Sequence, residues 1–352
     1  FLKKYPKYRK AVLEILDQKN GPDYLKNLNT FNLVFRSPGV PYNLPAIQRA
    51  IKSGVKFSSV TKLFFELCPA KIIGITGTRG KTTTAAWTHH LIKDSILCGN
   101  NPKHPFLSAL SGETAQWAVT EVSSFHLELF DQSVRPPDIA ILTNIYRDHL
   151  NRYDSMEEYS EVKKNLYRWQ KPASTAGGAG QVLIDASEEI PIDLTNFENQ
   201  WGKHNVQNFR LAALAAHHAG VSWDDIKSRM STLPQIPFRQ EEIYHHDGLT
   251  IINDSNATSP EAGIVAMERF GGPDTVLIAG GTDKNLDFTD WNIAVQKHIA
   301  PNHLILLSGS ATSKMLGGVR YQTLAECFDA AIKLKPKMIV FAPSGSSFEK
   351  FT

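Results

Sequence analysis

Three cysteines are all that 352 residues contain; Cys68, Cys98 and Cys327 are odd in number, far apart and without metal-ligand spacing. They read as reduced, buried thiols of a cytoplasmic protein. No apolar run approaches the roughly 20 residues that span a bilayer, and no secretory signal is present. Internal repeats, low-complexity segments and long basic runs are lacking as well. Lys and Arg number 38 against 35 Asp and Glu, a net charge of +3. That balance does not indicate nucleic acid as the main partner, while small anions suit it. A starting methionine is missing too. The chain opens on FLKKYPKYRK and stops at SGSSFEKFT in mid-pattern, which reads as a fragment of a longer protein.

What is present is the composition of a soluble globular chain, 42% hydrophobic and 21% charged, long enough for two or three domains. AVLEILD (11–17) reads as a strand ending on Asp17, and Asn32 to Phe35 as a second strand before a Pro/Gly turn. LPAIQRAIKSG is a helix stopped by Gly54, and VKFSSV a strand. This alternation predicts parallel sheet in a small α/β domain over 1–66. KIIGIT is then a buried strand, and TTTAAWTHHLIKDS a helix. WAVTEVSS, PDIAILTNI and GQVLIDA are strands apolar enough to be covered on both faces. NVQNFRLAALAAHHAG is a helix ended by Gly220, and SWDDIKSRM a helix with a capping-box-like start at Ser222 and Asp225. Proline-rich TLPQIPFRQ reads as a linker. LTIINDSNAT, TVLIAGG, HLILLSG and KMIVFAPSG follow as strands of a third α/β unit. The expected domains are 1–66, 67–235 and 236–352.

Between KIIGIT and its helix lies Gly77-Thr78-Arg79-Gly80-Lys81-Thr82-Thr83. A glycine turn from strand to helix leaves N–H groups pointing outward at a positive helix end, which suits phosphate. Lys81 would reach the outer phosphates, and Thr82 or Thr83 would hold Mg²⁺. Five residues separate Gly74 from Gly80 where the standard pattern has four, so the context and not the spacing carries the reading. The bland alternative is a βα turn with a solvated lysine. Glu121, at the end of WAVTE, could share a metal with the loop hydroxyl from the carboxyl edge of a neighbouring strand; taken alone it is a solvated strand end. His149 precedes a helix carrying Lys163 and Lys164, ordinarily a polar loop and a solvated face. Asn205 and Asn208 lie one helical turn apart, and their amides suit the edge of adenine.

The loop resembles the Thr-Gly-Thr-x-Gly-Lys-Thr/Ser signature of the Mur ligases and folylpolyglutamate synthetases, and further motifs of that family follow in order over nearly the whole chain. The resemblance implies an α/β, three-domain Mur ligase architecture: a Rossmann-like N-terminal domain (incomplete here), a central P-loop ATPase-like domain with a parallel sheet, and a C-terminal Rossmann-like domain. It places ATP on Gly77, Thr78, Gly80, Lys81, Thr82, Thr83, Asn205, Asn208, Arg239 and Asp254. Two Mg²⁺ sites are implied, one on Thr82 and Glu121, the other on His149 and a carbamylated Lys163, which stands four residues after Tyr159 as the family's lysine does. Lys81, His149 and Lys163 are thereby the implied catalytic residues.

Within the family, RSPGVP resembles the Ser-Pro-Gly loop beside a uridine diphosphate (Ser37, Pro38, Gly39), with Asp17 near the uracil and Asn101 at substrate or phosphate. GGTDKNLDF and APSGSSFEKF resemble segments that place Lys284, Ser347 and the Phe348 backbone at D-glutamate. These point to the branch that adds D-glutamate to UDP-N-acetylmuramoyl-L-alanine through an acyl phosphate in peptidoglycan synthesis. The protein is then expected to be a cytoplasmic monomer without membrane insertion, closing about a hinge at 234–238. Asn256 departs from the family's lysine, Arg147 from its glutamate, and CGNNPKHP from its Gly-Gly-Asn-Ile-Gly loop. Sibling Mur ligases, a folylpolyglutamate synthetase-like ligase, and an inactive ATP-binding module are the rival readings.

Overall fold

β1 (Leu33–Phe35) and β2 (Lys56–Ser58) pair in parallel, with Val34 opposite Phe57 and α1 (Pro45–Lys52) connecting them. Pro45 opens α1 where a missing N–H costs nothing, and Ile47 and Ala50 bury against Leu28. These coordinates are a computed structural model that describes residues 8–101, 103–110, 115–150, 152–171, 182–185 and 187–346. The strand expected over 11–17 does not form. Val12 and Ile15 are 97% and 83% exposed, only Leu16 packs against the Leu28 cluster, and among the described residues no strand pairs with that run. Asp17 accordingly sits at no strand end. Its carboxylate accepts the Lys19 N–H at 2.8 Å and caps a short 3₁₀ turn.

α2 (Val60–Leu67) starts on Ser59, whose Oγ accepts the Lys62 N–H at 3.0 Å, and it buries Leu63, Phe64 and Phe65. There follow β3 (Lys71–Thr76), α3 (Lys81–Leu91), β4 (Ser95–Gly99), β5 (Trp117–Glu121), α4 (Ser124–Leu127), β6 (Ile139–Leu142), α5 (Met156–Lys164) and β7 (Val182–Ile184). Their strands form a parallel sheet in the order β4-β5-β3-β6-β7. β3 is central and buried on both faces, which is why its sequence is an unbroken apolar run. From β3 the chain first moves outward to β4, returns through β5, and then crosses to β6. That reversal opens a crevice at the carboxyl ends of β3, β5 and β6, where α/β sheets take ligands. Phe64, Phe65, Phe106 and Phe130 pack below it with ring centroids 5.1 to 5.5 Å apart.

Three helices come next: α6 (Thr195–Trp201), α7 (Lys203–His218) and α8 (Trp223–Met230). Ser222 Oγ accepts the Asp225 N–H at 3.1 Å and donates to Asp225 Oδ2 at 2.8 Å, closing the start of α8 as its sequence suggests. The remaining elements are β8 (Glu241–His246), β9 (Leu249–Asn253), α9 (Pro260–Phe270), β10 (Thr275–Gly280), α10 (Thr289–His298), β11 (Leu304–Leu307), β12 (Val319–Tyr321), α11 (Leu324–Lys333) and β13 (Met338–Ser344). Here the sheet order is β12-β11-β10-β13-β9-β8, parallel except for β8 against β9. β8, exposed from Glu242 to His246, is an edge strand that the apolar pattern missed.

Contacts group the chain into two compact units, Phe1–Pro191 with Asn208–Ser228, and Ile192–Gln207 with Arg229–Thr352. The two-stranded sheet and the five-stranded sheet belong to the first, the six-stranded sheet to the second. Among the described residues no helix is long and apolar enough to cross a membrane.

In the second unit, Trp291 of α10 is fully buried and its Nε1–H donates to Ser344 Oγ at 2.8 Å, where β13 ends with Ser344 at φ 59°. Trp291→Phe is expected to cost about 1–3 kcal/mol in urea denaturation, from the lost hydrogen bond and the space left behind. An unchanged midpoint would contradict this account of the β13 terminus.

Candidate phosphate-loop site

β3 ends at Thr76 and α3 begins at Lys81, so the turn between them is tight. Gly77 and Gly80 have φ of 144° and 81°. A Cβ at Gly77 would fall 1.9 Å from Thr143 Oγ1, and one at Gly80 2.1 Å from Asn208 Oδ1. Both positions therefore need glycine for close approach as well as for dihedral freedom. The residues just after β6 brace the loop. Asn144 accepts the Thr78 N–H on its backbone oxygen and the Arg79 N–H on Oδ1, each at 2.9 Å. Thr143 Oγ1 donates to the Arg79 carbonyl at 2.6 Å. Thr78 Oγ1 accepts the Tyr146 N–H at 2.9 Å and lies 3.1 Å from Tyr159 Oη. The N-cap of α3 is Gly80, which has no side chain with which to cap the first turn. That turn presents helix N–H groups to an anion.

Lys81 Nζ donates back to the carbonyls of Gly77 and Thr78 at 3.0 and 2.9 Å. Lys163 Nζ donates to the same Gly77 carbonyl at 2.8 Å. Lys163 is 1% exposed, with its amine 4.6 Å from the centre of the Tyr159 ring. Burial, and secondly the charge on Lys81, bring its pKa down to about 6, against a smaller opposing pull from Asp148. Its neighbour Lys164 is exposed and bound to Glu161 at 2.6 Å. Thr82 Oγ1 donates to Glu121 Oε2 at 2.9 Å, and Asn100 Nδ2 to Glu121 Oε1 at 3.4 Å. Gly99 lets β4 close on β5, since a Cβ there would lie 2.4 Å from the Glu121 carbonyl. His149 has φ 55°, and its ring sits 4.8 Å from Phe125 and 5.9 Å from Tyr159. His149 and Lys163 thus meet the same Tyr159 ring.

This donor set fits magnesium. The Thr82 hydroxyl and Glu121 carboxylate are hard oxygen donors within hydrogen-bond distance of each other. Among the described residues no three His, Cys, Asp or Glu side chains gather into an all-protein cage. A metal completed by phosphate and water oxygens is what Mg²⁺ prefers. Lys163 as an amine is a hydrogen-bond donor; only as a carbamate would it offer oxygens beside His149.

The other expected residues are distributed as follows. Thr83 is buried in α3, and Asn208 Oδ1 accepts from Thr84 Oγ1 at 3.5 Å. Asn205, in the second unit, donates through Nδ2 to the Trp201 carbonyl at 3.0 Å. Asp254, also in that unit, is buried and accepts the Gln240 N–H at 3.2 Å; burial raises its pKa to about 6 despite that bond and the nearby Arg239. Lys284 is exposed beside Asp283, which binds Lys314 at 2.7 Å. Asn256 is exposed and donates its N–H to the Phe238 carbonyl at 3.0 Å. Asn101 Oδ1 accepts the Lys103 N–H at 3.0 Å, so it is Asn100 that touches Glu121. Ser37 and Gly39 are exposed, and the Pro38 carbonyl accepts from Arg152 at 3.0 Å. Ser347 and Phe348 lie outside the described residues. Sequence reasoning passed over Thr143, Asn144 and Asn100, although Thr-Asn directly after a buried strand at the crevice was the available signal.

The sequence model of the Mur ligase middle domain matches residues 75–200, the segment that holds this loop. A UDP-N-acetylmuramoylalanine–D-glutamate ligase of Roseiflexus sp. (strain RS-1) is 33% identical over 82% of this chain and 71% of its own length. The chain belongs to the Mur ligase family. A second relative of the same name, from Acetivibrio thermocellus, is 28% identical over 94% of the chain and 82% of its own length. Among solved structures, a MurF ligase of Thermotoga maritima in complex with ADP superposes with a TM-score of 0.61 at 14% identity, covering 91% of this chain and 95% of that one. A UDP-N-acetylmuramate–alanine ligase (MurC) from the same organism gives 0.60 at 18%, covering 94% and 84%. These likenesses establish the Mur ligase α/β fold with its parallel sheets.

The buried amine makes stability depend on pH. A lysine whose folded pKa lies below its unfolded value leaves the unfolded chain holding more protons between the two, so stability rises with pH across that window. In carbonate-free buffer, the stability of the parent chain relative to Lys163→Met is expected to rise from about pH 6 toward the ordinary lysine range. Parallel pH profiles of the two proteins would overturn the assignment of a neutral Lys163.

Proposed function

We propose that this Mur ligase joins D-glutamate to UDP-N-acetylmuramoyl-L-alanine at the expense of ATP. The observation that carries the reading is the kinship with D-glutamate ligases over most of the chain, combined with a phosphate loop whose lysine, hydroxyl and carboxylate are already gathered. Carboxylate activation fits such a site because it calls for charge neutralisation more than for a nucleophilic side chain. An oxygen of the L-alanyl carboxylate attacks the γ-phosphorus of ATP and ADP leaves, giving an acyl phosphate. The D-glutamate amine then attacks the acyl carbon, loses a proton and displaces phosphate, and an amide remains.

In this reading the α3 N-terminus and Lys81 hold the phosphates, and Lys81 exchanges the loop carbonyls for phosphate oxygens. Thr82 and Glu121 hold one magnesium; His149 and a carbamylated Lys163 hold the second. Bound magnesium neutralises phosphate and carboxylate charge and fixes the reacting oxygens. The depressed pKa of Lys163 supports carbamylation, since the neutral amine adds to CO₂ and releases one proton to become a carboxylate-like group. The Ser37–Pro38–Gly39 loop and Asn101 take the UDP-linked substrate, with Asp17 assigned to it by resemblance alone. Asn205 and Asn208 take adenine, Arg239 and Asp254 the ATP, and Lys284, Ser347 and Phe348 the D-glutamate. Three domains, a monomeric state and a cytoplasmic location belong to the same reading.

Phosphate release with ATP, Mg²⁺, UDP-N-acetylmuramoyl-L-alanine and D-glutamate, omitting each in turn, tests it. Release is expected only from the complete mixture. Equal release with L-alanine, a diamino acid or a folate acceptor would move the chain to a sibling ligase, and none under any mixture to an inactive module.

A further inference from the structure

Behind the loop Ser37–Pro38–Gly39 lies a buried ion cluster that the proposed chemistry does not use. The side chain of Glu128, just after α4, is 5% exposed and is flanked by those of Arg36 and Arg152, at 2% and 9%. Arg152 closes a fork on the carboxylate, with Nε to Oε1 at 2.8 Å and Nη2 to Oε2 at 2.7 Å. Arg36 Nη1 reaches Oε2 at 2.8 Å, and Tyr153 Oη donates to Oε1 at 3.1 Å. The guanidinium groups also collect the loop's carbonyls. Arg152 donates to Pro38 at 3.0 Å, Gly39 at 3.4 Å and Val40 at 3.3 Å, while Arg36 donates to Val40 and, at 3.0 Å, to Phe125. On its other side Arg152 leads to His149. Its N–H donates to the His149 carbonyl at 2.9 Å, and its guanidinium lies 4.3 Å over the Phe125 ring, itself 4.8 Å from the His149 ring.

We propose that Arg152 is a positioning residue which, through Glu128 and Arg36, locks the Ser37–Pro38–Gly39 loop to the His149 turn, so that the UDP-linked substrate and His149 are held in one register. The proposal rests on the reading of that loop as the substrate's. Three charges buried together would be costly if they served packing alone, because apolar residues of like volume do as well or better. A planar fork that satisfies a carboxylate and three carbonyls at once is a task lysine cannot copy.

The test uses the full chain with Arg152→Lys and Phe125→Leu. Direct titration of UDP-N-acetylmuramoyl-L-alanine and KM values for all three substrates are measured beside Tm. Arg152→Lys is expected to weaken the UDP-linked substrate about tenfold in both Kd and KM, the worth of one charge-assisted hydrogen bond, with the KM for ATP unchanged. Phe125→Leu keeps every ion pair and is expected to lower kcat while leaving that Kd near the parent value. Unchanged Kd and kcat in the variants, or an equal rise in the KM for ATP with a lower Tm, would reduce the cluster to a structural role. A parent chain that binds no UDP-linked nucleotide would overturn both the reading and the proposal; variants that match an active parent would overturn the proposal alone.

Discussion

Two lysine amines share one carbonyl oxygen. Lys81 and Lys163 donate to Gly77 at 3.0 and 2.8 Å, one partly open at the crevice and the other sealed behind the loop. Burial disfavours the charged form of Lys163, the nearby charge on Lys81 adds to this, and the buried amine yields. The arrangement leaves one cation on the loop carbonyls and one neutral amine behind the loop. In the proposed function Lys81 exchanges its two loop carbonyls for phosphate oxygens, and Lys163 becomes a carbamate.

The fold supplies this pair with walls. β3 delivers the loop, β5 ends on Glu121 beside Thr82, and the turn after β6 brings Thr143 and Asn144 to clamp the loop's backbone. α5 brings Lys163 from the other direction. Ser155 caps it, Glu157 and Glu158 suit its positive end, and Tyr159 and Lys163 lie four residues apart on its one buried face. Tyr159 thereby touches the loop through Thr78 and both prospective metal-site residues through its ring.

Much of this was readable in the sequence because it is local. An apolar run between a glycine turn and a helix has few other solutions, and eight strands of the two large sheets announce themselves by their apolar runs, while β4, β8 and β12 do not. Where the reading failed, the cause was missing context. Ala11 to Leu16 has the composition of a strand but no sheet edge to join, so Asp17 caps a turn instead. β4 carries too short an apolar run to read as a strand and ends in glycine; it forms beside β5, where Cys98 and Gly99 are buried. The Arg36–Glu128–Arg152 cluster left no trace, because charged residues become interior only through partners remote in sequence. Asn256 and the segment after Gly99 depart from the family's pattern at surface and crevice positions, and there Asn100 has taken a contact with Glu121.

In the proposed function Lys163 is an amine held without its proton so that it can take up CO₂. Carbon-13 NMR of the protein equilibrated with ¹³C-bicarbonate near neutral pH tests it most directly. One carbamate carbonyl resonance is expected, absent from Lys163→Ala and retained in Lys164→Ala. A spectrum without that resonance, or one whose signal follows Lys164, would contradict it.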